Sequence, residues 1–179
     1  MLVELVPAVR AGTLALRNSK EVGKIMGVDA FSPCSLEPHH VDLYWYGIHG
    51  VEMLFTLMGP GCVSVQRTQT KDYDLVTGVW NDGRIGTFRG LRAQKEDYGT
   101  VVFGSRGIVK GPGYEGYGPL VEEIVKFFKT GQVPVPEEET IEILAFMTAA
   151  DESKAKNGAK VELATVLEEA RKQNAARVN

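Results

Sequence analysis

The sequence predicts an α+β domain, an open and mostly antiparallel β-sheet with helices packed on one face. Three observations predict it. The middle third, from Gly61 to Lys110, is a succession of strand-like segments whose connections are too short for helical crossovers. Segments of helical periodicity lie on either side of it, Val41 to Met58 before and Leu120 to Phe128 after. A chain of 179 residues, 44% apolar and 24% charged, has ordinary globular composition. At that size it buries roughly 70% of its unfolded surface in one core without staples.

Residues 1–20 form a leading segment with little period beyond Leu2 to Ala11, which suits a short helix closed by Gly12. The domain proper is expected over 21–163, with 164–179 a polar terminal helix and tail. EVGKIMGVDAFS, from Glu21, reads as a strand containing glycines, and Pro33 to His40 as a loop rich in proline and polar groups. The Val41 to Met58 helix ends at Gly59-Pro60-Gly61, which cannot continue it. Four strands follow, GCVSVQRTQT, YDLVTGVW, RIGTFRGLR and DYGTVVFGS, then a short RGIVK; Asn81-Asp82-Gly83 marks a hairpin between the second and third. The short connections predict antiparallel neighbours throughout.

In the first strand Ser64, Gln66 and Thr68 alternate with Val63 and Val65. In the second, Tyr73, Leu75 and Val79 alternate with Val76 and Trp80, so both faces are apolar and each needs a cover. One cover is a helix layer; another copy of the chain is the nearest candidate for the second. Leu120, Val121, Ile124, Val125, Phe127 and Phe128 form one apolar stripe of a helix stopped by Gly131. After the prolines at 134 and 136, Glu137 to Glu139 favour a helix N-terminus, and the period runs to about Lys156 before Asn157-Gly158. A short strand, Lys160 to Leu163, precedes the last helix.

A net charge of -3 argues against a nucleic-acid partner, whose affinity comes from basic side chains that release phosphate counterions. The longest apolar run, Val51 to Met58, contains Glu52 and is far short of a membrane span. Cys34 and Cys62 are the only cysteines, too few and too far apart for a disulfide framework or a thiolate zinc site. With no basic leader before an apolar segment, the expected compartment is the cytoplasm.

Gly111 to Gly116 matches G-x-G-x-x-G, but an antiparallel meander precedes it and a VPVP segment follows, so the flexible-loop reading is preferred to a dinucleotide site. The most informative stretch is PHHVDLYWYGIHGVE, which holds all three histidines. On a continuous helix His49 shares a face with Asp42, Trp45, Tyr46, Glu52 and Met53. A histidine among ring hydroxyls and a carboxylate is a candidate general base; a buried histidine bonded to a backbone carbonyl is the alternative. His39, His40, His49 and Glu52 match no familiar zinc spacing, and no metal site is assigned. Arg67, Arg84, Arg89 and Arg92 are left unassigned.

The order strand, YGIHGVEMLFTLMG helix, meander, then GPLVEEIVKFFKTGQVPVPEEETIEILAFMTAADESKAKNGAKVEL, resembles the C-terminal domain of the glucose-fructose oxidoreductase, inositol dehydrogenase and rhizopine-catabolism family of NAD(P)-dependent oxidoreductases. The likeness covers about Glu21 to Leu163. It implies a substrate-binding and oligomerisation domain for a sugar or polyol, with association through the sheet as a homodimer or larger homo-oligomer. It implies His49, at the histidine of an Asp-x-x-x-His pattern, as the catalytic residue, and Trp45 stands where that pattern has aspartate. Asp42, Trp45, Tyr46, His39 and His40 are expected to bind substrate. The family's Glu-Lys-Pro motif is absent from this sequence. A cofactor domain needs roughly 100 or more residues of its own, and only residues 1–20 precede the likeness. The expected cofactor-binding residues in this chain are therefore none, although a full-length member implies NAD or NADP, and the chain by itself is expected to be inactive. The alternative is a stand-alone, non-catalytic sugar-binding or dimerisation module.

Overall fold

A computed structural model of the chain describes residues 13–93, 97–113 and 116–178. The helix expected over Leu2 to Ala11 lies outside them, as do Tyr114 and Glu115 of the glycine motif. Among these residues seven strands form one open sheet: β1 Ile25–Pro33, β2 Cys62–Gln69, β3 Tyr73–Trp80, β4 Ile85–Leu91, β5 Gly99–Gly104, β6 Ile108–Lys110 and β7 Val161–Glu162. Their order across the sheet is β6-β5-β1-β4-β3-β2-β7. The helices are α1 Gly47–Met58, α2 Gly118–Thr130, α3 Glu137–Ala155 and α4 Leu163–Val178.

The α+β class and the mostly antiparallel sheet are as the sequence predicts, with one correction to the meander. β2, β3 and β4 are antiparallel neighbours, but β4 and β5 are not neighbours at all. β1 lies between them, parallel to β4 with Thr87 opposite Asp29, and antiparallel to β5 with Val101 opposite Asp29. β4 and β5 are thus consecutive in the chain but separated by β1 in the sheet, although the interval from Leu91 to Gly99 is shorter than a helical crossover.

The inward face carries Val28, Ala30, Val65, Val76, Trp80, Phe88 and Val102, all buried beneath α1 and α3. Every residue of α1 is buried, and the helix lies so close to the sheet that a Cβ added at Gly50 meets the Phe88 ring at 2.2 Å and Ser32 Oγ at 2.8 Å. Only glycine permits that approach. The end of α1 is fixed as well: Gly59 has φ +69°, Trp80 Nε1 donates to Gly59 O at 2.8 Å and Arg84 Nη2 to Met58 O at 3.0 Å. These bonds satisfy carbonyls that a helix end leaves open.

The outward face is partly exposed among the described residues. Across it Val79 pairs with Ile85 and Leu75 with Arg89, and Ile85, Phe103, Tyr73 and Met26 are exposed. Of the two apolar faces of β3, the helices thus cover the one with Val76 and Trp80. α2 forms where its period predicts, but its stripe does not enter the core: Val121, Ile124, Val125 and Phe127 are exposed, and Phe128 is 81% exposed. The side chain of Leu120 lies outside the described residues.

Candidate functional site

The helix expected over Val41 to Met58 is broken. Asp42–Tyr44 is a 3-10 turn, and α1 begins only at Gly47. The break has tertiary causes. Leu43 is fully buried. The Tyr44 hydroxyl donates to Leu144 O at 3.0 Å and lies 2.6 Å from Thr148 Oγ1 on α3. Asp42 turns away from α1, accepting from Arg67 Nη2 at 2.9 Å and from Lys154 Nζ at 2.6 Å.

That geometry divides the residues the sequence singled out. His40, Trp45, Tyr46 and His49 come together as a row of rings: His40 stacks on Trp45 with centroids 4.5 Å apart, Trp45 meets Tyr46 edgewise at 5.9 Å, and Tyr46 meets His49 at 5.5 Å. Tyr98, just before β5, extends the row, its ring 6.3 Å from that of His49. Sequence spacing missed Tyr98 because it lies far along the chain and reaches the row only through the placement of β5 beside β1. The row is graded in exposure, from Trp45 at 39% to His49 at 9%. His39 is exposed in the preceding loop, its amide donating to Glu37 Oε2 at 2.7 Å. Asp42 belongs instead to the ion cluster beneath the row.

Within α1, Glu52 follows His49 by one turn, and its Oε2 is 3.8 Å from His49 Nδ1. Nδ1 is enclosed and has no hydrogen-bond partner among the described residues. Thr100 Oγ1 on β5, two residues on from Tyr98, is in the same condition. Buried polar atoms of this kind are rare and mark places where a ligand or water completes the bonding.

The ion cluster centres on Arg67, 1% exposed. Its Nε donates to Asp74 Oδ1 at 2.8 Å, Nη1 to Asp151 Oδ1 at 2.6 Å and Nη2 to Asp42. Asp74 also accepts from Arg92. Burial works against the Arg67 charge, but the bonds to Asp74 and Asp42 outweigh it and raise its pKa. Burial likewise pushes the Asp42 carboxyl up, while the bonds from Arg67 and Lys154 prevail and hold it below its ordinary value. Asp151 goes the other way, pushed up to about 6 by burial and by the neighbouring Asp42 charge, despite Arg67 and Lys154. Three carboxylates around one guanidinium leave the least enclosed of them short of compensation. Cys34 and Cys62 are buried thiols pushed up to about 12, chiefly by burial, which suits inert packing rather than nucleophiles.

Among the described residues no group of three His, Cys, Asp or Glu side chains gathers with metal-holding geometry. Gly111 does follow a strand, but β6 is an antiparallel edge strand paired with β5, whereas a pyrophosphate turn opens from a parallel strand into a helix. No described helix is long and apolar enough to cross a membrane.

No protein-family model and no curated protein matches the sequence. Solved structures do match the fold. GenD2 from gentamicin A biosynthesis, in complex with NAD, superposes with a TM-score of 0.70 at 16% identity over 88% of this chain and 60% of its own. The scyllo-inositol dehydrogenase of Lactobacillus casei, with NAD(H) and scyllo-inositol bound, gives 0.68 at 14% identity over 88% of this chain and 62% of its own. The myo-inositol 2-dehydrogenase of Lactobacillus plantarum gives 0.67 at 16% identity over 87% and 61%. The chain thus shares the fold of the larger part of each of these three proteins, and it spans only about 60% of their length.

The raised Asp151 carboxyl carries a test. An acid whose folded pKa, about 6, exceeds its ordinary 3.8 gives full stability below the lower value and loses it as pH rises through the upper one. Between about pH 4 and pH 7 the wild type should therefore lose about 2 kcal/mol relative to Asp151→Asn, water at the partly exposed carboxyl trimming the full shift. Urea denaturation across that range measures the difference, and one that does not vary with pH contradicts the assignment.

Proposed function

We propose that this chain is the substrate-binding and oligomerisation domain of an NAD(P)-dependent sugar- or polyol-type oxidoreductase of the cytoplasm. The observation that carries the reading is the row of rings running from exposed Trp45 to buried His49, on a fold shared with inositol dehydrogenases. Aromatic faces offer flat apolar surface to the C–H face of a carbohydrate ring, while the Tyr46 hydroxyl and the histidine nitrogens answer its hydroxyls. His49, at the enclosed end, accepts or returns the proton of the reacting secondary hydroxyl. In this reading nicotinamide chemistry is assigned to a separate dinucleotide-binding domain, and the chain alone is inactive.

Binding is measurable without turnover. Saturation-transfer NMR with myo-inositol and glucose as probes should show saturable binding, weakened about 5- to 10-fold by Trp45→Ala, the cost of roughly one aromatic contact. Failure of both probes to bind, or binding indifferent to Trp45→Ala and to His49→Asn, refutes the reading.

Association is the second part of the reading. The outward sheet face, with Ile85, Phe103, Tyr73 and Met26 exposed, is the surface assigned to a second copy, joined by a two-fold contact. Val76 is fully buried under the helices, so Leu75, on the outer face, is the residue to change. Sedimentation equilibrium should find the 19.6 kDa chain dimeric or larger and Leu75→Asp shifted towards monomer. A wild-type monomer that shows no concentration dependence refutes the contact.

A further inference from the structure

The row of rings ends beside a second buried titratable group, Glu52. It stands one helical turn after His49 on the same side of α1, and it is 8% exposed where His49 is 9%. At 3.8 Å, Glu52 Oε2 is just beyond hydrogen-bond range of His49 Nδ1, a gap that a small side-chain rotation closes. Nδ1 is enclosed with no described bonding partner, so this carboxylate oxygen is the acceptor placed to receive a proton from it. Among the described residues, the other titratable side chains set against the ring are phenols from two different segments, Tyr46 from the turn before α1 and Tyr98 from the approach to β5. Both meet the imidazole ring to ring. Trp45 stands four residues before His49 and supplies no carboxylate from that side.

Resting on the reading of His49 as the proton-handling group, we propose that Glu52 is its positioning residue. The Glu52 carboxylate accepts the Nδ1–H bond and holds the ring in the tautomer whose lone pair is on Nε2. A neutral imidazole has one donor nitrogen and one acceptor nitrogen, and the bond made by one decides the role of the other. With Nδ1 committed to Glu52, Nε2 is the nitrogen that takes a proton from a hydroxyl. Both groups sit on consecutive turns of one buried helix, so the pair is preorganised by the fold.

Long-range ¹⁵N–¹H correlation spectra of the full chain, recorded above the ordinary histidine titration range, report which ring nitrogen carries the proton. The wild type is expected to show His49 as the Nδ1–H tautomer, and Glu52→Met, which keeps the side-chain length and removes both acceptor oxygens, is expected to move it towards Nε2–H. A wild-type ring protonated on Nε2, or a Glu52→Met protein that keeps Nδ1–H, overturns the proposal. Should Glu52→Met fail to fold, Glu52→Leu, which also removes both acceptor oxygens, is read in the same way: the population shifts towards Nε2–H, and an unchanged spectrum overturns the proposal. The readout needs no substrate. An Nδ1–H tautomer that Glu52→Met abolishes, in a chain that binds no polyol, refutes the proposed function alone; polyol binding with an Nε2–H ring refutes this inference alone.

Discussion

Arg67 is the point at which three parts of the molecule are tied. It sits on β2, and its guanidinium reaches β3 through Asp74, α3 through Asp151 and the turn before α1 through Asp42. Its side chain is fully enclosed, so the charge is tolerable only because every face of it is met. Removing the Arg67 guanidinium leaves buried carboxylates uncompensated, which costs about 3–5 kcal/mol. Arg92 closes the far side of Asp74 and also donates to Thr70 O at 3.0 Å and Lys71 O at 3.1 Å, so the β2–β3 turn belongs to the same unit.

The cluster matters to the proposed site because it fixes where the chain enters α1. Asp42 and Tyr44 are held from below by β2 and α3, and Trp45 and Tyr46 are left to lie along the surface with their rings in sequence. From Gly47 onward the constraint is packing: Gly50 against Phe88 sets the height of α1 above the sheet, and Trp80 and Arg84 fix its end. His49 is thus placed by two independent restraints, an ionic one on the turn and a steric one on the helix.

The elements were legible in the sequence because their signals are local: alternation for β2 and β3, Asn81-Asp82-Gly83 for the hairpin, Gly59-Pro60-Gly61 for the end of α1. The insertion of β1 between β4 and β5 was not, since parallel pairing across that separation leaves no trace in either strand. The break at Trp45 and Tyr46 carries no proline or glycine and arises from bonds to residues far along the chain. Arg67 was passed over among the other arginines, although a signal existed: it follows Val65 by two, in the inward phase of β2, as Asp74 precedes Val76 by two in β3. Charges in the apolar phase of two adjacent strands predict a buried pair. α2 shows the converse, for a helical period says which face is apolar and not whether anything covers it.

The central claim is that the Arg67 cluster holds the turn from which the aromatic row is hung. Amide hydrogen exchange in Asp42→Asn tests it most directly, because the turn has its own bonded amides, Tyr44 to Val41 O at 2.9 Å and His49 to Tyr46 O at 3.3 Å. The account predicts that these amides lose protection while those of β2, β3 and β4 keep theirs, as expected for a local opening. Unchanged protection at Tyr44 and His49 in a folded Asp42→Asn protein would contradict it.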